Sequence, residues 1–294
     1  MKAITRRHPL AVFLVLAYGA AAAIFALPLL SANGIGIIDL ELPGMAPFIL
    51  LTAFALAGAA FVTTALAEGR DGVRGLRRRV FHFRVRPAWY PLALLLLPGV
   101  ALISTIPFAG IATVAKLIGS PDLILGVVIL GALVAFLLVN WWEEVGWTGF
   151  VLDRLQGQIG PIGASVVTTW LQALIHVPLV FVAGGVTDGR VPMEQIPFYL
   201  VALFVLPIPV RLMLTWLYNT SGRSLPVVGL THAGLGVATG TAFIPVIAPG
   251  VAPVVVYAGF AVLAAILLIA TRGRLGYDAR APERQIQGEV AMAS

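Results

Sequence analysis

The chain has 294 residues, of which 60% are hydrophobic and only 11% are charged. Soluble domains carry roughly 25% charged residues, so this composition excludes an ordinary soluble protein and predicts a membrane protein. Cysteine is absent, which excludes disulfide bonds and thiolate metal sites. The formal net charge of +6 would also suit nucleic acid, so the positions of the basic residues must decide what the charge is for.

Apolar windows long enough to cross a bilayer, which requires about 20 residues, occur along the whole sequence. They cover residues 9–30, 46–67, 89–109, 123–142, 161–183, 197–219, 224–244 and 252–270. Their Leu, Ala, Val and Gly content is typical of transmembrane helices, whereas a β-barrel would show short alternating segments. We therefore predict an all-α polytopic membrane protein with about eight transmembrane helices.

The expected organisation is one transmembrane helical domain over residues 1–271, with its core at about 120–244, and a polar tail. The first window follows basic residues as a signal peptide does, but its apolar stretch is longer than a usual signal core, which favours an uncleaved helix. Residues 272–294 are polar, and we expect them to form a disordered cytoplasmic tail.

The basic residues give an orientation. With the N-terminus inside, 17 of the 19 basic residues fall in inner segments, leaving only Lys116 and Arg190 outside. The positive-inside rule then predicts cytoplasmic N- and C-termini in a multi-pass protein of the cell membrane. Arginine outnumbers lysine 17 to 2, which is typical of a GC-rich prokaryotic genome.

The run GVRGLRRRVFHFRVRP at residues 72–87 is the densest group of positive charge. In a cytoplasmic loop, each basic residue near anionic headgroups contributes about 1 kcal/mol of membrane attraction. We therefore predict that residues 70–86 contact anionic lipid headgroups, and that nucleic acid is not a partner.

Ionisable residues inside a membrane are costly and usually face a protein interior or a water-filled cavity. The fourth window ends in NWWEEVGWTGF, where Asn140, Glu143, Glu144 and Trp147 are spaced i, i+3, i+4 and i+7 and so share one helix face. An alternative is that the glutamates are solvated at the interface and that the tryptophans form an interfacial belt.

Further polar residues lie in the next three windows. The fifth carries a stripe formed by Ser165, Thr169, Gln172 and His176. Pro178 follows, which frees the Leu174 carbonyl and predicts a kink close to His176. The sixth contains Arg211 with Thr215 and Tyr218 on the same face.

The seventh window contains His232 within THAGLGVATG, whose small residues let a neighbouring helix approach closely. Helix packing alone would account for these small residues, and a hydrogen-bonded packing role would account for either membrane histidine. Two of the four histidines nevertheless lie inside predicted spans, close to the two glutamates in the order of windows. That combination is typical of a hydrolytic site.

Two chemistries remain open for such a site. A carboxylate can take a proton from water, one histidine can position that water, and another can donate to the oxyanion that forms when water attacks a carbonyl. Alternatively, Glu143, His176 and His232 could bind a divalent metal such as zinc, which would activate the water. The HExxH, GxSxG and P-loop signatures are absent.

Three segments of the sequence resemble the CPBP family, the intramembrane proteases related to the CAAX prenyl endopeptidase and to Abi proteins. These are EEVGWTGFVLDRL (143–155), LQALIHVPL (171–179) and WLYNTSGRSLPVVGLTHAG (216–234). The resemblance covers about residues 120–240 and implies an eight-helix core. It implies that Glu143 is the general base, that His176 holds the attacking water, that Glu144 supports them and that His232 contributes to the oxyanion hole.

The family pattern is EExxxR, FxxxH and HxxxN or HxxxD, and the chain departs from it at three positions. Thr148 replaces the arginine, Gln172 the phenylalanine, and Gly236 the asparagine or aspartate. We expect Arg211 or Arg154 to supply the missing positive charge and Asn140 the missing amide.

Three functions follow from these observations. The first is a CAAX-protease-like endopeptidase acting on a peptide or a membrane-tethered protein tail. The second is a catalytically degenerate relative that works as a membrane scaffold or immunity-type binding protein, which the missing arginine and asparagine favour. The third is a transporter, because intramembrane Glu and His also build proton relays, although the sequence shows no repeated halves.

Overall fold

The computed structural model describes residues 2–187, 189–240 and 242–278, which form helices joined by turns, without a β-strand. The longer helices are α1 (Pro9–Leu30), α2 (Ala46–Val80), α3 (Trp89–Ala109), α4 (Leu123–Phe181), α5 (Met193–Thr220), α6 (Leu225–Thr239) and α7 (Pro253–Ala270). Short helices occur at Lys2–Arg7, Ala112–Ile118 and Ile244–Ile247. The predicted all-α class is confirmed.

Within the described ranges, 6 helices are long and apolar enough to cross a membrane, and α6 is a shorter apolar helix. The 59-residue α4 contains both the fourth and the fifth predicted windows. It is broken at Gly160, where φ is 73° and ψ is 168°. Glycine adopts this backbone conformation without the steric cost that a side chain would add. Each predicted window is thus largely helical, while the count of eight crossings and the cytoplasmic termini stay predictions.

A second break separates the apolar and basic parts of α2. At Gly69 φ is 71° and ψ is −153°, so the helix changes direction after its apolar part. The basic residues from Arg70 onward therefore lie on a short helical extension that leaves the line of the span.

The helix α6 lies inside the bundle and packs against α3, α4 and α5. A Cβ atom built on Gly229 would lie 2.8 Å from Trp141 Cα, and one built on Gly234 would lie 3.2 Å from Pro98 Cδ. Real Cβ atoms do not approach backbone this closely, so Gly229 is what allows α6 to reach α4. The close helix approach predicted for the small-residue run occurs at Gly234.

The first helix contributes to the core beside the glutamates. Phe13 stacks on Phe150 with a centroid separation of 4.7 Å and meets Trp147 edge-on at 6.0 Å. Trp147 is fully buried by these contacts, so it is not part of an interfacial belt. Its ring faces α1, whereas the Glu144 carboxylate faces α5.

The chain after α7 continues in contact with the bundle as far as it is described. Leu275 is buried, and its carbonyl accepts a hydrogen bond from Asn219 Nδ2 at 3.0 Å. The greater part of the predicted disordered tail, residues 279–294, lies outside the described residues.

Candidate active site

The two glutamates lie on a locally irregular stretch of α4. The α-helical turn Trp141–Gly146 carries them, and π-helical turns at Phe136–Asn140 and Trp147–Leu152 flank it. Such turns each insert an extra residue into the helical repeat, and they are frequent at functional sites because they redirect side chains. The direction of the carboxylates therefore does not follow from the regular 3.6-residue period.

Glu144 is fully buried and is held by three side chains from three helical segments. Its Oε2 accepts hydrogen bonds from Arg211 Nη1 at 2.7 Å and from the Thr148 hydroxyl. Its Oε1 accepts from Arg211 Nη2 at 3.1 Å and lies 2.8 Å from His232 Nδ1. A buried carboxylate paired with an arginine by two bonds is among the stronger side-chain interactions in proteins. Both oxygens of Glu144 are therefore occupied.

Arg211 connects α5 to both parts of α4, the part before and the part after the break at Gly160. Besides Glu144, its guanidinium donates to Thr148 Oγ1 at 2.9 Å and to the side-chain oxygen of Gln172. Arg154, the other arginine considered, instead pairs with Glu68 and lies over the Phe150 ring. The positive charge beside Glu144 thus comes from α5, and two of the three family departures, Thr148 and Gln172, are its hydrogen-bond partners.

His176 is the last residue of the α-helical segment Asp153–His176 within α4. Its Nδ1 lies 2.9 Å from the Gln172 carbonyl oxygen, and since a carbonyl only accepts, Nδ1 carries the proton. The Nε2 of the neutral ring is then a free acceptor. The backbone tightens into a 3₁₀ turn at Val177–Phe181, and the Leu174 carbonyl accepts from Val177 N–H. The change of helical geometry predicted near His176 is therefore present.

His232 faces Glu144 from α6. The 2.8 Å separation from Nδ1 to Oε1 is a close polar contact rather than a well-directed hydrogen bond, because Nδ1 has no hydrogen-bond partner in line among the described residues. If Nδ1 holds its proton toward the carboxylate, Nε2 is left to act on another group.

A cavity of about 180 Å³ lies between α4, α5 and α6, large enough for a few water molecules. Its polar wall is formed by Thr169, Gln172, His176, Arg211 and His232. The rest of its wall is formed by Ala173, Leu203, Pro207, Val210, Leu214 and Leu235. Three of the four residues of the fifth-window stripe, Thr169, Gln172 and His176, thus line the cavity, but nothing in the sequence indicated the apolar residues opposite.

Several predicted residues lie apart from this cavity. Glu143 is 6% exposed, does not reach the cavity wall, and makes no hydrogen bond or ion pair with the rest of the described chain. Asn140 is likewise without a hydrogen bond there, so it does not serve as the amide of the Glu144 cluster. The Ser165 hydroxyl lies 2.7 Å from Thr215 Oγ1 and joins α4 to α5.

The side chains do not suit a resident metal. In the part of the chain that the structure describes, no three His, Cys, Asp or Glu residues converge as ligands, including Glu143, His176 and His232. The carboxylate nearest a histidine, Glu144, is already paired with the Arg211 cation, which repels a metal ion. We therefore derive no step through a metal.

Apolar helices around a buried Glu–Arg–His cluster and a small cavity define a polytopic membrane protein with a polar interior site. Residues 125–238 match the family model described as Type II CAAX prenyl endopeptidase Rce1-like, and this range includes both glutamates and both cavity histidines. The chain is also 26% identical over 196 residues to CAAX prenyl protease 2 of Methanococcus maripaludis, covering 65% of this chain and 68% of that protein. Both matches support membership of the CPBP family, and the apolar helices make the chain a multi-pass membrane protein.

Proposed function

We propose that the protein is an intramembrane endopeptidase that hydrolyses a peptide bond in a membrane-associated peptide or protein tail. The observation that carries the proposal is the meeting of His176 and His232 on one cavity, with Glu144 fixed behind them by Arg211. The similarity of residues 125–238 to CAAX-type endopeptidases supports the same reaction class.

The two glutamates take different roles in this proposal. Glu144 has both oxygens occupied by Arg211, Thr148 and His232, so a further proton would have to displace strong contacts. It is therefore a positioning residue. Glu143 has no partner within the described part of the chain, so its carboxylate is the one available to accept a proton. We assign Glu143 as the general base.

The reaction begins when the substrate's peptide group enters the cavity and Glu143 turns toward it. Water held by a hydrogen bond to His176 Nε2 attacks the carbonyl carbon, and its proton passes to Glu143. The tetrahedral intermediate collapses, the carbon–nitrogen bond breaks, and Glu143 returns the proton to the leaving nitrogen. One water is consumed, and a carboxylate and an amine are released.

The oxyanion requires a donor, and His232 Nε2 is the candidate. Nδ1 lies 2.8 Å from the Glu144 carboxylate, so Nε2 is the ring nitrogen left to donate to the oxyanion. Arg211 also lines the cavity, and its positive charge complements a developing oxyanion.

The test is cleavage of a diverse library of membrane-tethered peptides by the purified protein, beside Glu143→Ala. Cleavage by the wild type that is lost in the variant supports the proposal. Unchanged cleavage in the variant contradicts the assigned base. Parallel reactions with a chelator report whether an added metal matters, and we expect no effect.

A second candidate is a membrane scaffold or immunity-type binding protein. One observation favours it: Gly236, where the family has asparagine or aspartate, leaves open space around its Cα instead of a second oxyanion donor. A well-folded wild type that cleaves no library member but retains a protein partner from its host membrane, equally in Glu143→Ala, would establish this function instead.

A further inference from the structure

A second cavity, of about 980 Å³, lies apart from the candidate active site, below the break in α2. It is bounded by the basic extension of α2, the segment that follows it, Asp153 of α4 and the turn between α5 and α6. We call it the basic cleft. Under the predicted orientation it opens on the cytoplasmic side, and none of the residues assigned to the proposed proteolysis lines it.

The carboxylates that line the basic cleft are all engaged by cations. Glu68 pairs with Arg154. Asp71 pairs with Arg74 at 2.7 Å. The third carboxylate, Asp153, pairs with two arginines at once. Neither of the first two carboxylates is paired with Arg77 or Arg84.

Asp153 joins three helices under the cleft. It pairs with Arg79 and Arg223 and accepts a hydrogen bond from the Tyr218 hydroxyl at 3.1 Å. Although Arg223 is paired, its burial and the neighbouring charge of Arg79 lower the pKa of Arg223 to about 10. Positive charge is thus already crowded on this wall.

Arg77 and Arg84 carry positive charge that no described carboxylate neutralises. Both line the cleft, both are exposed, and neither side chain makes an ion pair or hydrogen bond with any residue that the structure describes. Two uncompensated guanidinium groups beside a crowded cationic wall create a positive potential that an anion would relieve. Guanidinium favours phosphate because its planar fork matches two phosphate oxygens.

The rim of the cleft is aromatic. Phe81 is 51% and Phe83 is 43% exposed, and both rings meet Trp141 edge-on, with centroid separations of 5.5 Å and 5.3 Å. Exposed aromatic rings beside arginine are the composition of a surface at the level of lipid headgroups, where an apolar ring and a charged group are both satisfied.

We propose that the basic cleft binds the phosphate of an anionic lipid headgroup, through Arg77 and Arg84, with Phe81 and Phe83 beside the acyl chains. The bound lipid would also stabilise the candidate active site indirectly, through the contact of Phe81 and Phe83 with Trp141. Trp141 donates a hydrogen bond from Nε1 to the Val80 carbonyl at 3.0 Å. It is also the first residue of the helical turn that holds both glutamates.

The test uses the full chain purified in neutral detergent and titrated with phosphatidylglycerol or phosphatidylcholine, with bound lipid counted by native mass spectrometry. We expect one retained phosphatidylglycerol per protein and no comparable retention of phosphatidylcholine. Replacing both cations, as Arg77→Gln with Arg84→Gln, should weaken phosphatidylglycerol binding about 30-fold, the effect of two basic residues near anionic headgroups.

The matched control is Arg70→Gln with Arg86→Gln, which removes the same charge from exposed arginines that do not line the cleft. We expect less than about a threefold loss there, because neutral detergent offers these two arginines no anionic surface and their distance from the cleft screens their charge from a phosphate bound in it. Equal losses in the two double variants, or equal retention of phosphatidylcholine, would overturn the proposal. So would inorganic phosphate competing as strongly as the lipid, or an acidic peptide that binds there and that phosphatidylglycerol does not displace.

Discussion

Arg211 stabilises a buried carboxylate from another helix, whereas the family pattern places that arginine four residues after the second glutamate. At that position this chain has Thr148, which already contacts both Glu144 and Arg211. Removing Arg211 would leave Glu144, which is fully buried, without its cation. Breaking a buried pair by removing one partner costs about 3–5 kcal/mol, and since His232 stays 2.8 Å from Glu144, we expect the lower end for Arg211→Ala.

A loss of about 3 kcal/mol corresponds to a change of roughly 150-fold in the unfolding equilibrium. We expect Thr148→Arg to restore a large part of this loss when combined with Arg211→Ala, because an arginine at i+4 reaches the same carboxylate and can use the vacated space. Thr148→Arg alone should destabilise the protein, since two arginines would then compete for one buried carboxylate.

The assay is reversible unfolding in mixed micelles of neutral detergent and dodecyl sulfate, arranged as a double-mutant cycle. The predicted coupling energy between positions 148 and 211 is favourable and about 2 kcal/mol or more. Arg154→Ala serves as the control, because Arg154 pairs with a half-exposed Glu68 and should cost only about 1 kcal/mol. Equal effects of Arg154→Ala and Arg211→Ala, or a double variant no more stable than the sum of its singles, would refute this account of the relocated arginine.

Two glycines of α6 give further predictions. Gly236→Asn should raise peptide cleavage about tenfold or more, because a new amide four residues after His232 can donate to the oxyanion. A Cβ at this position meets nothing within 4 Å, so the side chain has room. An unchanged cleavage rate would show that the missing side chain does not limit the reaction. Gly229→Ala should destabilise the protein by about 1–3 kcal/mol in the same unfolding assay, since its Cβ would lie 2.8 Å from the backbone of α4. Gly236→Ala is the matched control and should be neutral or slightly stabilising; equal effects at the two glycines would contradict the close helix crossing.

Hydropathy and charge were enough to predict the helical membrane class, because lipid permits few backbone arrangements and these leave a strong compositional signal. They could not predict where helices bend. Gly69 and Gly160 both adopt positive φ; Pro161 disfavours helix at Gly160, whereas no such neighbour marks Gly69. The fourth and fifth apolar windows therefore lie in one helix, α4, which is broken between them at Gly160.

The candidate site was predictable in its residue types but not in its pairing. Periodicity predicted that Glu143 and Glu144 act together. In the structure, both oxygens of Glu144 are occupied, whereas Glu143 has no partner among the described residues. The contact between Glu144 and Arg211 spans 67 positions of the sequence, so no local spacing rule could choose Arg211 over Arg154. The apolar half of the cavity was missed because such residues also form every lipid-facing surface.

The division of roles between the two glutamates is tested most directly by two isosteric variants, Glu143→Gln and Glu144→Gln, measured for both cleavage and stability. We predict that Glu143→Gln abolishes cleavage of the tethered peptides while the unfolding transition stays within about 1 kcal/mol of the wild type, since Glu143 has no partner among the described residues to lose. Glu144→Gln should destabilise the protein by about 3 kcal/mol, because it leaves the buried Arg211 uncompensated. Cleavage retained by Glu143→Gln and lost in a stably folded Glu144→Gln would contradict the account and make Glu144 the base.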